Sequence, residues 1–258
     1  LNRNHSFKWN SGGSSSDPLY ATYHGSHAAS ENEVSQLQAF IRTLIPDQRG
    51  PGDSDAAPLD TTGLIISMHS YSQLVLWPWG HTYGSAPNVT GLSAIGRKFA
   101  TYNTYTPEQS SDLYPTSGDT ADWGYGELGV PTYTFEIGTS FMPSYSIIDS
   151  TQWPRNGPAL FYAAKIPRTP YMTAHGPDAL NVTAAPNGDS YTLTATINDD
   201  NNGDNTTQAA EYYIDTPDWM SGAEAIPMTA TDGSFNSTIE NVTATIDERR
   251  RLSPAPVH

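Results

Sequence analysis

Residues 114–138 read YPTSGDTADWGYGELGVPTYTFEIG. YPTSGD has the Pro, Gly, Ser and Asp content of a surface loop, one able to move over a site. TADWGYGELG is a short helix. Gly129 ends it, because glycine takes the left-handed conformation of a helix C-cap without steric cost. Pro131 then opens an apolar strand, PTYTFEI, with Glu136 near its far end. A short apolar run between turn residues marks a buried strand. A carboxylate closing such a strand is costly unless it is paired or used.

Moving outward, helices and strands keep alternating. HAASENEVSQLQAFIRTLI (27–45) is a helix, with Ser30 and Glu33 as a capping box and Val34, Leu37, Ile41 and Leu44 on one face. LIISMHSY (64–71) is a second buried strand. GLSAIGRKFATYN (91–103) places Leu92, Ile95 and Phe99 at helical spacing, and NGPALFYAAKI (156–166) is a last helix with Pro158 near its first turn. This alternation predicts an α/β fold for 1–168, a mixed twisted sheet flanked by helices. From 169 the period changes to two. DALNVTA, SYTLTATIND, AAEYYID and SFNSTIENVTATI are separated by PNGD, DDNNGDN and TDGS, which are turn sequences, and nothing reads as a helix. Residues 169–248 are expected to form a small Ig-like β-sandwich. Residues 249–258 are expected to be a disordered tail.

Composition narrows the functions. The 258 residues carry a formal net charge of −15 and only three lysines, Lys8, Lys98 and Lys165. That field repels nucleic acid and anionic membranes, so neither is an expected partner. There is no Cys, so no disulfide or thiol chemistry. No apolar run reaches the ~18 residues of a membrane span. Asn-x-Ser/Thr sites at Asn4, Asn88, Asn181, Asn205, Asn236 and Asn241 permit a glycosylated, secreted protein.

Three residues of the first part stand out. His69 ends the strand in SMHSYSQ, and the C-terminal edges of α/β strands are where ligands gather, although a lone His is more often a satisfied core residue. Glu136 closes the other strand, and Tyr114 sits in the loop that opened this reading. Each is weak alone. Their order and spacing resemble zinc carboxypeptidases of the funnelin (carboxypeptidase A and T) type. LNRNHSFKWN resembles that family's Asn-Arg-Asn segment, and YHGSHAASENEV its helix start. SMHSYSQ followed by WPWG resembles its zinc-His strand. YPTSGDTADWGYGELGVPTYTFEIG resembles its mobile Tyr loop through to the catalytic Glu, and FMPSYSII the segment after it.

The resemblance implies a metallocarboxypeptidase acting on the C-termini of peptides and proteins, with Zn2+ as cofactor. Asn2 and Arg3 would clamp the terminal carboxylate, since a guanidinium offers it two parallel charge-assisted bonds. Tyr114 would close over the bound residue, and Ser70 and Tyr71 would line the cleft. His69 would be a zinc ligand, and Glu136 the general base on zinc-bound water. Asp119 would shape the side-chain pocket and admit basic C-terminal residues; its alternative reading is a turn residue beside Gly118.

The family uses three protein ligands, a His-x-x-Glu pair upstream and then the His of SMHSYSQ, and this sequence matches only the last. HGSH (His24, His27) with Glu31 has ligand-like spacing but falls on a helix start that holds no metal in the family. His5 stands where the family has an apolar aromatic and reads as packing. The resemblance therefore implies that the N-terminal part of the catalytic domain, with its strands and ligands, is missing here. Two alternatives stay open: a non-catalytic secreted binding module, and a peptidase of the same fold acting on cell-wall peptides.

Overall fold

A computed structural model describes residues 1–200, 202–218 and 220–247. They divide into two compact units, Leu1–Ala174 and a second beginning at His175.

The first unit contains, in order, α1 (Asn32–Leu44), β1 (Ile65–His69), β2 (Leu74–Trp77), α2 (Val89–Asn103), β3 (Thr106–Gln109), α3 (Ser110–Leu113), α4 (Thr120–Leu128), β4 (Thr132–Glu136), α5 (Trp153–Lys165) and α6 (Pro170–Ala174). The strands form one mixed sheet in the order β1-β4-β2-β3. β4 runs parallel to β1 and antiparallel to β2, and β2 runs parallel to β3. All five residues of β4 are buried, the pattern of a strand covered on both faces. Its side chains alternate. Tyr133 and Phe135 join the core with Leu92, Ile95 and Phe99 of α2 and Tyr162 of α5. Thr132 faces α4, where a Cβ on Gly124 would lie 2.3 Å from its hydroxyl oxygen. Thr134 and Glu136 share that face.

Five expectations need correction. β1 is the edge strand, paired only with β4 among the described residues, and Met68 is 47% exposed, so it is not buried on both faces. The capping box does not form. α1 starts at Asn32 with no side-chain cap, because Ser30 Oγ accepts from Asn4 and donates to Glu31 instead. The buried stripe of α1 is Val34 and Gln38 with Ile41 packed beside Trp123 and Leu128; Leu37 and Leu44 are exposed. Gln38 can be buried there because its amide meets Ser6 Oγ and His5 Nδ1. α5 begins at Trp153, so Pro154 occupies its start and Pro158 lies inside it, where the missing N–H leaves one helical bond unmade. Finally, α6 is a helix where none was expected. Tyr171 anchors it, buried, with its hydroxyl donating to Gly129 O at 2.9 Å.

The second unit is all β among its described residues. β5 (Asp178–Asn187), β6 (Ser190–Asn198), β10 (Ile239–Asp247) and β9 (Thr229–Ala230) form an antiparallel sheet in the order β5-β6-β10-β9, and β7 (Glu211–Tyr212) pairs with β8 (Ile226–Pro227). Leu193, Ala195, Met228 and Val242 form its small core, with Tyr212 and Phe235 packed against them. The expected tail, 249–258, lies outside the described residues.

Candidate active site

Parallel pairing brings the ends of β1 and β4 together, and their last register pair is His69 with Glu136. Backbone hydrogen bonds hold the chain on both sides of that pair: Ile137 N donates to His69 O at 2.8 Å, and Gln73 N to Glu136 O at 2.7 Å. Ser70 and Tyr71 follow directly from β1.

The N-terminal segment lies along the 114–120 loop. His5 N donates to Gly118 O at 2.9 Å. Thr120 donates to Asn2 Oδ1 through both its N–H (2.9 Å) and its hydroxyl (2.8 Å). This occupies the oxygen of the Asn2 amide and leaves its NH2 as the donating end. Asn4 is buried and fastens the segment to the turn before α1. Its amide nitrogen donates to His24 O, His27 O and Ser30 Oγ, and its oxygen accepts from Glu31 N. A glycan at Asn4 is incompatible with that burial. Gly118 has φ +64°, and a Cβ there would stand 2.5 Å from Arg3 O, so the loop approaches the segment as closely as only glycine allows.

These elements enclose a cleft of about 490 Å³ whose lining includes Asn2, Arg3, His69, Ser70, Tyr71, Tyr114, Asp119 and Glu136. All eight residues singled out in the sequence therefore meet in one place. Thr116, Thr134 and Phe141 line it as well, and sequence reading missed them. Phe141 packs edge-on against Tyr71, centroids 4.7 Å apart, and is largely exposed. An aromatic in the polar TSFMPS stretch was the signal that could have found it.

Arg3 carries the positive charge of the cleft. One terminal nitrogen donates to Asn2 O at 2.5 Å and the other to Tyr114 Oη at 3.4 Å, and the guanidinium lies 5.8 Å from the Tyr114 ring centre. Its Nε is buried without a partner, and no salt bridge to Arg3 occurs among the described residues. A guanidinium held this way is ready for an anion. Burial holds Glu136 above the usual carboxylate range, and Arg3 pulls it partly back. Burial lowers His69 and Arg3 lowers it further, which favours neutral imidazole; its Nε2 is 3.0 Å from Ser67 Oγ.

Asp119 caps α4, accepting from Asp122 N at 2.9 Å and from Thr116 Oγ1 at 2.5 Å. It also lines the cleft. Burial and then the nearby Asp122 raise it to about 6. Asp122 is fully buried and accepts from Gly80 N, His81 N and His81 Nδ1, the last at 2.6 Å. His5 is buried between Thr120 and Gln38, and burial lowers it to about 4, so it is a neutral packing residue. His24 and His27 each turn Nδ1 to a neighbouring carbonyl. Among the described residues no group of three or more His, Cys, Asp or Glu side chains could hold a metal ion.

The zinc carboxypeptidase family model matches residues 1–153. Zinc carboxypeptidase A 1 of Anopheles gambiae is 37% identical over 145 residues, which are 53% of this chain and 30% of that protein. Mast cell carboxypeptidase A of Homo sapiens is 33% identical over 146 residues, 53% of this chain and 31% of that protein. Bovine thrombin-activatable fibrinolysis inhibitor, solved in complex with tick carboxypeptidase inhibitor, superposes with a TM-score of 0.53 at 25% identity, over 67% of this chain and 57% of that one. The chain thus spans about a third of the length of these two curated relatives.

Proposed function

The chain belongs to the zinc carboxypeptidase family, and from that membership we propose that the protein containing it hydrolyses the C-terminal peptide bond of peptides and proteins. The observation that carries this reading is the unpaired Arg3, with its orphaned Nε, beside His69 and Glu136 in one cleft. Arg3 and the Asn2 amide hold the terminal carboxylate. Tyr114, half exposed at the rim, folds over it. Glu136 takes a proton from the attacking water and returns it to the leaving amine as the C–N bond breaks, a role suited to a carboxylate held above its usual range.

Zinc is the metal of this family. A zinc site needs three or four ligands, and these residues offer His69 alone, so they do not by themselves fit the ion. We infer that the remaining ligands come from polypeptide outside residues 1–258. Secretion is part of the same proposal, supported by the acidic, Lys-poor composition; among the described residues no helix is long and apolar enough to cross a membrane. For the second unit we retain the Ig-like sandwich, supported by the apolar cluster between its sheet and Tyr212.

The test is hydrolysis of paired peptides, C-terminally free and amidated, by the intact protein with its zinc content measured. Cleavage of the free peptide only, with stoichiometric zinc, is expected. Equal cleavage of both excludes a carboxylate clamp, and no cleavage of either in the zinc-loaded protein favours a binding module.

A further inference from the structure

We propose that Asp199 and Thr207, in the loop that follows β6 of the second unit, bind a divalent cation through oxygen ligands, calcium in particular. The site is independent of the cleft and of the reaction proposed there.

The loop closes around Asp199. Its carbonyl accepts from Asn202 N at 2.9 Å and Asp204 N at 3.1 Å, and its Oδ2 accepts from Asn205 N at 2.5 Å. Asp199 N donates to Thr238 O, and Thr207 N to Ser237 O, both at 2.9 Å. Asp199 and Thr207 are thereby fastened to adjacent residues just before β10, and Asn202 is fastened to Asp199. These three residues are 1%, 5% and 5% exposed. Each buries a polar atom that finds no hydrogen-bond partner: Asp199 Oδ1, Asn202 Nδ2 and Thr207 Oγ1. Among the described residues only seven buried side-chain atoms are so orphaned, and three of them belong to this loop.

Charge decides what fills the gap. A buried carboxylate oxygen without a partner is destabilising, and native proteins pair it with a cation or with donors. No Lys or Arg occurs between Arg168 and Arg249, while Asp and Glu recur throughout that span. The unit's described residues therefore have no guanidinium or ammonium to offer, and a cation from solution can answer the carboxylate. The oxygen donors are the Asp199 carboxylate and the Thr207 hydroxyl; the Asn202 amide would have to turn about its last bond to add its oxygen. With no Cys and no His in the loop, this is a set for a hard ion. Asp200, which accepts from Thr238 Oγ1 at 2.6 Å, and Asp204 add negative potential beside it. Calcium accepts irregular oxygen sets completed by carbonyls and water, whereas magnesium demands near-ideal octahedra.

The full 258-residue chain, stripped with EDTA, is titrated with calcium alone by calorimetry, and its thermal unfolding is followed with and without the ion. One site per chain is expected, with a melting temperature that rises with calcium and rises less with magnesium. Calcium up to about 20 mM covers the ~10⁻⁴–10⁻³ M range of extracellular modules. Asp199→Asn should weaken binding at least tenfold, and Thr207→Val at least threefold. If circular dichroism shows Asp199→Asn unfolded, Thr207→Val, close in shape, decides alone. No heat and no shift in the parent chain would mean that the gap holds water and would overturn the proposal. So would parent-like binding by the folded variants, which would place the ion elsewhere.

Discussion

His69 and Glu136 are direct register partners at the ends of two parallel strands. A parallel sheet projects such a pair on the same face, so the imidazole and the carboxylate are set side by side by backbone pairing, before any side-chain contact. β4 is buried along its whole length, which fixes one partner firmly. β1 is an edge strand, so the other partner depends on β4 for its place.

Replacing Glu136 by Gln keeps the shape of the side chain and removes the proton acceptor. In the intact protein, turnover should fall by ~10²–10⁴, the contribution of a positioned general base, with zinc content unchanged. His69→Ala should lose zinc and activity together. Turnover within a few-fold of the parent in the zinc-bound Gln variant would remove Glu136 from the mechanism.

Arg3→Ala removes the guanidinium of the cleft, which has no carboxylate partner among the described residues. Activity on peptides with a free C-terminus should fall by about 2–5 kcal/mol of transition-state binding, the range for losing one side of a desolvated charge pair. The kcat/KM ratio of free to amidated peptide is the readout, and it should approach unity in the variant.

Gly118 should not tolerate a side chain. Gly118→Ala adds backbone strain at φ +64° and a Cβ 2.5 Å from Arg3 O. It should cost about 1–3 kcal/mol of stability and raise KM more than it lowers kcat, since it displaces the carboxylate clamp. Gly188→Ala separates the two effects. Its φ is +59° with nothing within 4 Å of the added Cβ, so it carries strain without collision. Denaturant unfolding of both variants should rank Gly118→Ala as clearly the worse.

The parts of the fold legible in sequence are those written in local punctuation. The C-cap at Gly129 has φ +76° and donates to Tyr125 O, and Leu92, Ile95 and Phe99 are fully buried at the spacing that identified α2. What stayed hidden was settled by distant partners. Ser30 reads as a cap until Asn4, 26 residues away, claims its hydroxyl. The buried Asp122 is answered by His81 across 41 residues. The apolar run of β1 says nothing of whether a strand lies on its second edge. The site residues were located by their register with a family pattern, since no single one differs locally from an ordinary core or loop residue.

Asp119 joins two roles that a single substitution can separate. As the cap of α4 it needs an acceptor for Asp122 N; as a pocket acid it needs a charge. Its carboxyl ionises near 3.8 when free and at about 6 in the folded protein. Between those values the folded state binds more protons than the unfolded one, so stability declines as pH rises through the window and levels off above it. Asp119→Asn keeps the capping oxygen, can donate to Thr116 Oγ1, and cannot ionise. Melting curves should therefore show the variant gaining on the parent as pH rises from about 4 to about 6, with the gain vanishing at the acid end. If the charge also selects substrate, cleavage of C-terminal Lys and Arg relative to Leu should fall by roughly tenfold or more in the variant at neutral pH, as a buried charge partner is lost. A flattened stability profile with an unchanged Lys/Leu ratio would leave Asp119 as a helix cap alone. A changed ratio with an unchanged profile would show that the carboxyl ionises alike in the folded and unfolded chain while its charge still selects substrate.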